Sequence, residues 1–341
     1  MKKTVEITDV EGLLFGHHTD TRRPTGCSVL LCPQGAVAGV DVRGAAPGTR
    51  ETDLLQPVNS VQQVHGLVLA GGSAFGLDAA SGVMRWLRAH GHGLQVGAVR
   101  VPIVPAAVVF DLWVDDFTAH PQGSGVCPDA EAGHAACQDA VARPKHRTWA
   151  QGNVGAGAGA TVGKLNGPDC AMKGGVGHAA VQVGGFTVGA VVVCNAVGDV
   201  LDPHTGQLIA GARQASDSLV LLDAARAQLQ GHATVAPSLG ANTTIGAIVT
   251  DAPLTKVQAT RLAQVGHDGL ARSIRPVHTP MDGDTLFTLA TAARTGEVDL
   301  LRLCTAAAEV TAQAVVNAVR AAQTLRMGER WWPAVSDSAA R

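Results

Sequence analysis

The chain has 341 residues, a formal net charge of −2, 46% hydrophobic residues and only 16% charged ones. That length suffices for one large domain or two ordinary ones, and the composition excludes a disordered chain. With no basic run, the near-neutral balance argues against nucleic acid or an anionic membrane as partner.

Forty-one glycines and no Tyr leave the core to Val, Leu, Ile and Ala. The opening "MKKTVEITDVEGLL" begins positive, but acidic residues interrupt it before an apolar h-region forms, so no signal peptide is expected. No uninterrupted apolar stretch is long enough for a membrane span. The expected location is cytoplasmic, with seven scattered cysteines reduced.

"HGLVLAGG" (65–72) reads as a buried strand. Leu77, Ala80, Val83, Met84 and Leu87 then share one helical face, with Gly91 or Gly93 as the stop. Ser73, between the two, reads as the helix N-cap. A nucleophile elbow would need Gly at 75, where Phe75 stands. Residues 118–152, rich in Gly, Pro and His, look least ordered.

"GNVGAGAGATVGK" (152–164) misses the phosphate-loop pattern at both ends, with Ala158 at one and Leu165 after Lys164 at the other. No apolar strand precedes it, which also weakens a dinucleotide site. "GAVVVCNAVG" (189–198), "TIGAIVTDA" (244–252) and "TLFTLATA" (285–292) are strand candidates. Helical spacing runs over 254–274 and 305–325. The tail "RWWPAVSDSAAR" either packs its two Trp on a partner or frays. Interleaved strands and helices predict an α/β fold whose sheets are covered by helices. There is no HExxH or CxxC, and "MDGDT" (281–285) lacks most calcium-loop ligands, so no metal and no cofactor is expected.

One stretch asks for more than a strand. In "GANTTIGAIVTDA" (240–252) three polar residues, Asn242, Thr243 and Thr244, open an apolar run. Polar residues often start strands, and Thr suits them. A Thr hydroxyl becomes a nucleophile only beside a base, and a chain-terminal Thr carries one in its own α-amine. That amine's ordinary pKa, about 7.7–8.0, suits general-base work near neutral pH. An internal Thr becomes terminal if its Oγ attacks the preceding carbonyl, here that of Asn242, and water hydrolyses the resulting ester. The Gly-Ala-Asn lead-in followed by a strand has the shape for this.

"GANTTIGAIVTDA" with "HTPMDGDTLFTLAT" about 30 residues later resembles the N-terminal-nucleophile hydrolases of the L-aminopeptidase/D-esterase family. The similar branch is that of the 6-aminohexanoate-oligomer (nylon-oligomer) endo-hydrolases. Further matching blocks are "DVRGAAPGTRETDLL" (41–55), "LAGGSAFGLDAASG" (69–82), "VPIVPAAVVFDL" (101–112), "GNVGAGAGATVGK" (152–164) and "VVVCNAVGDV" (191–200), and the resemblance as a whole extends over roughly residues 10–325.

The resemblance implies a four-layer αββα sandwich and a single hydrolase domain cleaved before Thr243. Fragments 1–242 and 243–341 would stay associated, commonly in a homotetramer. It implies Thr243 as nucleophile, Asp282 and Asp284 as carboxylates that orient its new amine, and Asn195 and Lys164 as active-site partners. An Asn amide suits an oxyanion hole, and Lys164 can stabilise the same oxyanion or orient Thr243. Where some relatives carry a Tyr, Phe110 stands here, so a phenolic hydrogen bond is missing from the expected substrate pocket. The "RGAAPGTRETDLL" block has no evident chemical role, and Arg43 and Glu51 read as structural.

The implied activity is hydrolysis of nylon oligomers, short peptide amides or both. The alternatives are an L-aminopeptidase/D-esterase or β-peptidyl aminopeptidase without useful nylon activity, or a non-catalytic binding protein on the same scaffold.

Overall fold

The structure, a computed structural model, describes residues 5–143, 148–231 and 242–339. Nine strands form one hydrogen-bonded array. They are β1 (Leu14–Thr19), β2 (Gly26–Val42), β3 (Thr49–Arg50), β4 (Val64–Ala70), β5 (Ala106–Val108), β6 (Gly175–Val183), β7 (Phe186–Asn195), β8 (Thr243–Thr250) and β9 (Thr285–Ala290). Their order is β6-β7-β8-β9-β2-β4-β5-β3, with β1 also on β2. The β8·β9 and β4·β5 pairs are parallel and the others antiparallel.

The 17-residue β2 serves two sheets. Its first half, Cys27–Leu31, pairs with β4, and its second half, Val37–Val42, pairs with β9. The ladder to β4 is irregular between Leu31 and Ala36, where Pro33 and the positive-φ Gly35 stand. A bulged strand bends and re-aims its ends, so the two halves feed facing sheets.

Four longer helices cover them: α1 (Ala79–Ala89), α2 (Ala130–Ala142), α3 (Lys256–Ser273) and α4 (Leu300–Arg320). Alternation along the strands produces the layers. β7 sends Val191 and Val193 to a core shared with Leu30, Leu67 and Phe287, between the sheets. Its intervening Val188, Ala190 and Val192 pack on Leu262, Leu270, Val310 and Val315 of α3 and α4. On the opposite outer face, Val29 and Val68 meet Val83, Leu87 and Ala136 of α1 and α2. The result is α, β, β, α, the expected sandwich.

Strands buried on both faces read as continuous apolar runs, which is why "GAVVVC" carries no polar face. Each fully buried Val, Leu or Ile contributes about 1.5–3 kcal/mol. A carboxylate at Val191 would face the fully buried inter-sheet core and break it.

Three expectations need correction. Ser73 is not an N-cap: Gly72 holds that position, and Ser73 lies just inside a 3-10 turn at φ 54°, its N–H donating to the Val109 carbonyl. The Gly-Gly turn leaves β4 too sharply for a regular cap, and α1 starts only at Ala79. Residues 118–152 contain α2, whose start is capped by the Asp129 carboxylate on the Glu131 and Ala132 N–H groups. Its Ala- and Gly-rich face packs closely on α1, a contact that weak amphipathic spacing hides. Within the tail, Trp332 packs on its own chain rather than on a partner: it is fully buried with Val114 and Ala171. Among the described residues no helix is long and apolar enough to cross a membrane.

Candidate active site

The site forms where strand ends converge. β7 ends at Asn195, opposite Thr243 at the start of β8. β9 begins at Thr285, opposite Ile245 on one side and Val42, the last residue of β2, on the other. Residues here are fixed by rigid sheet on one side, while backbone beyond the strand ends turns freely to present groups.

Thr243 is buried, and its hydroxyl donates to the carbonyl oxygen of Asn242. The same oxygen accepts the Gly283 N–H at 3.0 Å. Asn242 is fully buried and bridges to Asp282 in parallel register. Its side-chain Nδ2 and Oδ1 both lack partners among the described residues. Gly240 and Ala241 of the expected lead-in lie outside the described residues.

Both aspartates are held. Asp284 Oδ1 accepts the Thr244 N–H at 2.6 Å, while Oδ2 accepts the His278 N–H at 3.1 Å and meets its Nδ1 at 2.8 Å. An ionised carboxylate only accepts, so Nδ1 carries the proton. Asp282 Oδ2 accepts from Thr279, N at 2.9 Å and Oγ1 at 2.6 Å. Its other oxygen, Oδ1, is buried without a partner among the described residues. Burial, reinforced by the charge of Asp284, pushes the Asp282 carboxyl up to about 6.

Lys164 Nζ is buried and donates to the Asn195 backbone oxygen at 2.6 Å and to Oδ1 at 3.0 Å. Burial lowers its pKa to about 7, against the opposing charge of Asp282. Asn195 Oδ1 also accepts the Thr161 N–H at 3.0 Å, and Nδ2 donates to the Phe110 carbonyl at 3.1 Å. Phe110 therefore touches the site through its backbone. Its ring lines a cavity of about 590 Å³ with Phe75, Trp113 and Phe117. Trp113 also lies under Lys164, 5.3 Å from Nζ to the ring centre. The cavity's one arginine, Arg23, is committed to Asp111 at 2.8 Å and to the Val126 carbonyl at 2.9 Å.

The glycine segment is not a phosphate cradle. Its N–H groups are used internally: Gly155 on Thr19, Ala156 on Ser28, Gly157 on Val154, Gly163 on Gly198 and Lys164 on Val197. Buried Lys173 caps the carbonyls of Gly157, Ala160 and Gly174 at 2.8–3.0 Å. The loop thus delivers Thr161 N–H and Lys164 to Asn195. Among the described residues no cluster of His, Cys, Asp or Glu could hold a metal ion.

The structure brings Thr243, Asp282, Asp284, Asn195 and Lys164 to one strand-end cluster, with Phe110 at its edge. Sequence reasoning missed His278 and Thr279, which orient the two carboxylates, and Trp113. His278 and Thr279 sat inside the "HTPMDGD" block, but only the backbone turn that aims them at the aspartates gives them a role.

The family profile described as Peptidase family S58 matches residues 6–330. An uncharacterized aminopeptidase of Mycobacterium leprae is 47% identical over 84% of this chain and 78% of its own length. A 6-aminohexanoate-oligomer endohydrolase of an Agromyces species is 33% identical over 86% of this chain and 75% of its own. The Burkholderia beta-aminopeptidase structure superposes with TM-score 0.64 at 23% identity, covering 99% of this chain and 94% of that one. The L-aminopeptidase D-Ala-esterase/amidase of Ochrobactrum anthropi, described as a variant of the N-terminal-nucleophile-hydrolase fold, gives 0.66 at 20% identity, covering 100% and 96%. The chain belongs to peptidase family S58 and is an amide-bond hydrolase of the aminopeptidase type on an N-terminal-nucleophile-hydrolase fold.

Proposed function

We propose that the chain cuts itself between Asn242 and Thr243 and then hydrolyses amides with Thr243 as N-terminal nucleophile. The observation that carries this is the Thr243 hydroxyl seated on the Asn242 carbonyl, in a residue pair bridged to Asp282, whose buried Oδ1 has no partner among the described residues. In self-cleavage Oγ attacks the Asn242 carbonyl carbon, the C–Oγ bond forms and the C–N bond breaks. The hydroxyl proton ends on the departing nitrogen. Water then hydrolyses the ester, leaving an Asn242 carboxylate and a free Thr243 amine and hydroxyl. The fragments stay together because β8, in the smaller one, is hydrogen-bonded to β7 in the larger one, and β9 to β2.

The new amine supplies what Asp282 Oδ1 lacks. Two carboxylates orient it and raise its pKa, while burial lowers it. In turnover Oγ attacks the substrate carbonyl and the amine relays the proton to the leaving group. Lys164 and the second Asn195 amide hydrogen face the developing oxyanion, where one donor contributes about 2.7–4 kcal/mol. The aromatic cavity, its arginine already committed, fits an apolar acyl chain.

The substrates are short peptide amides and linear 6-aminohexanoate oligomers. The first is supported by relatives named aminopeptidases, the second by the endohydrolase relatives and the paired aspartates. Assaying amino-acid anilides and a 6-aminohexanoate oligomer side by side tests this. Hydrolysis by the unaltered chain, abolished in Thr243→Ala, is expected; equal activity in Thr243→Ala overturns it.

A further inference from the structure

We infer that the backbone N–H of Gly283 is the oxyanion donor of the self-cleavage step, and that the loop over residues 43–48 holds it in place. This rests on the self-processing reading above. When Thr243 Oγ attacks, the Asn242 carbonyl carbon becomes tetrahedral and its oxygen takes the negative charge. That oxygen already receives the Gly283 N–H at 3.0 Å. A donor aligned before charge develops strengthens as the charge appears, without reorganisation. The hydrogen bonds of the Lys164 and Asn195 side chains run instead to each other, Phe110 and Thr161. On this assignment maturation and turnover use different oxyanion donors.

What aims the Gly283 N–H is the other end of its own peptide plane. The planar unit that carries this N–H carries the Asp282 carbonyl on its opposite edge. That carbonyl accepts the Ala46 N–H at 2.9 Å. One peptide unit thus links Ala46 to the scissile carbonyl in a hydrogen-bonded chain, and such chains polarise cooperatively. The Arg43 and Gly44 N–H groups take the carbonyl two residues on, that of Asp284, at 3.0 and 3.1 Å. The loop grips the Asp-Gly-Asp turn on both sides of the donor.

This gives the "RGAAPG" run, mute in its side chains, a role through its backbone. The Arg43 side chain turns away to Asp41 and the Gln264 carbonyl. A Cβ on Gly44 would lie 2.2 Å from Asp284 N and 2.5 Å from Asp282 O. One on Gly283 would lie 2.5 Å from Ala46 O and 3.0 Å from Thr243 Oγ1. Neither fits without moving the donor.

The test is a chase of newly made full-length chain in cell-free translation, following the fragment that begins at Thr243 and normalising to folded protein. Gly44→Ala and Gly283→Ala are expected to slow cleavage about 10²–10³-fold. Gly177→Ala is the control. Its Cβ would meet Ala314 O at 2.2 Å, an equal clash between β6 and α4, and its folded chains should cleave within a few-fold of the unaltered rate. Should the alanine variants fail to fold, glycolic acid placed at 283 deletes the N–H while adding no bulk, and the same slowing is expected. Cleavage at the unaltered rate in the glycolate or both alanine chains overturns the assignment, as does equal slowing in Gly177→Ala. If the unaltered chain never cleaves, the self-processing reading itself falls.

Discussion

Asp282 is a carboxyl whose ionisation the fold resists, and that has a measurable sign. It is 1% exposed, one oxygen lacks a partner among the described residues, and Asp284 stands beside it. Its pKa rises to about 6, against about 3.9 in an unfolded chain. Between those values the folded chain holds a proton that the unfolded chain has lost. Stability therefore falls as pH rises from about 4 to about 6 and stays reduced above, the reverse of an ordinary paired aspartate. Two units at about 1.36 kcal/mol each make the loss about 3 kcal/mol.

Asp282→Asn removes this titration. Both chains should carry Thr243→Ala, so that neither is cut, and be unfolded in urea near pH 4 and near pH 7.5. The asparagine has its own penalty from an unpartnered amide, but that penalty is equal at both pH values and cancels. The Thr243→Ala chain should lose about 3 kcal/mol more between the two pH values than Thr243→Ala/Asp282→Asn. Identical pH dependence in the two chains would refute the reasoning.

Lys164→Met removes the two hydrogen bonds that Nζ gives Asn195 and should lower kcat/KM per cleaved chain about 10²–10³-fold; a change below threefold would contradict its role. Lys173→Met leaves the carbonyls of Gly157, Ala160 and Gly174 without their buried cation. Urea unfolding should show a loss of about 3 kcal/mol or more, and a loss under 1 kcal/mol would count against that accounting. Phe117→Ala trims the cavity wall at a residue 38% exposed. KM for amides with apolar acyl groups should rise about tenfold with kcat nearly unchanged, and the opposite split would exclude the cavity as the acyl site.

The layers were legible because β7, β8 and β9 are apolar on both faces, and only sheets covered on both sides demand that. Thr243, Asp282, Asp284, Asn195 and Lys164 were legible through motif blocks, each a chemically capable residue in a recognisable run. The hidden parts act through backbone. Nothing in the letters of "RGAAPG" says that its N–H groups bind the carbonyls of Asp282 and Asp284, because every residue but proline has an N–H. Ser73 misled for a similar reason, since a cap residue and a strained turn residue are spelled alike. Helix α2 was hidden by its small residues, whose value lies in close approach to α1 rather than in an apolar stripe.

Self-cleavage before Thr243 is the central claim, and the most direct measurement is the denatured mass and N-terminal sequence of every fragment in the purified protein. Two pieces are expected, one beginning Thr-Thr-Ile-Gly and ending at Arg341, the other ending at Asn242. A single 34.8 kDa chain that persists through long incubation would contradict the account, because Thr243 would then have no amine to act as its base.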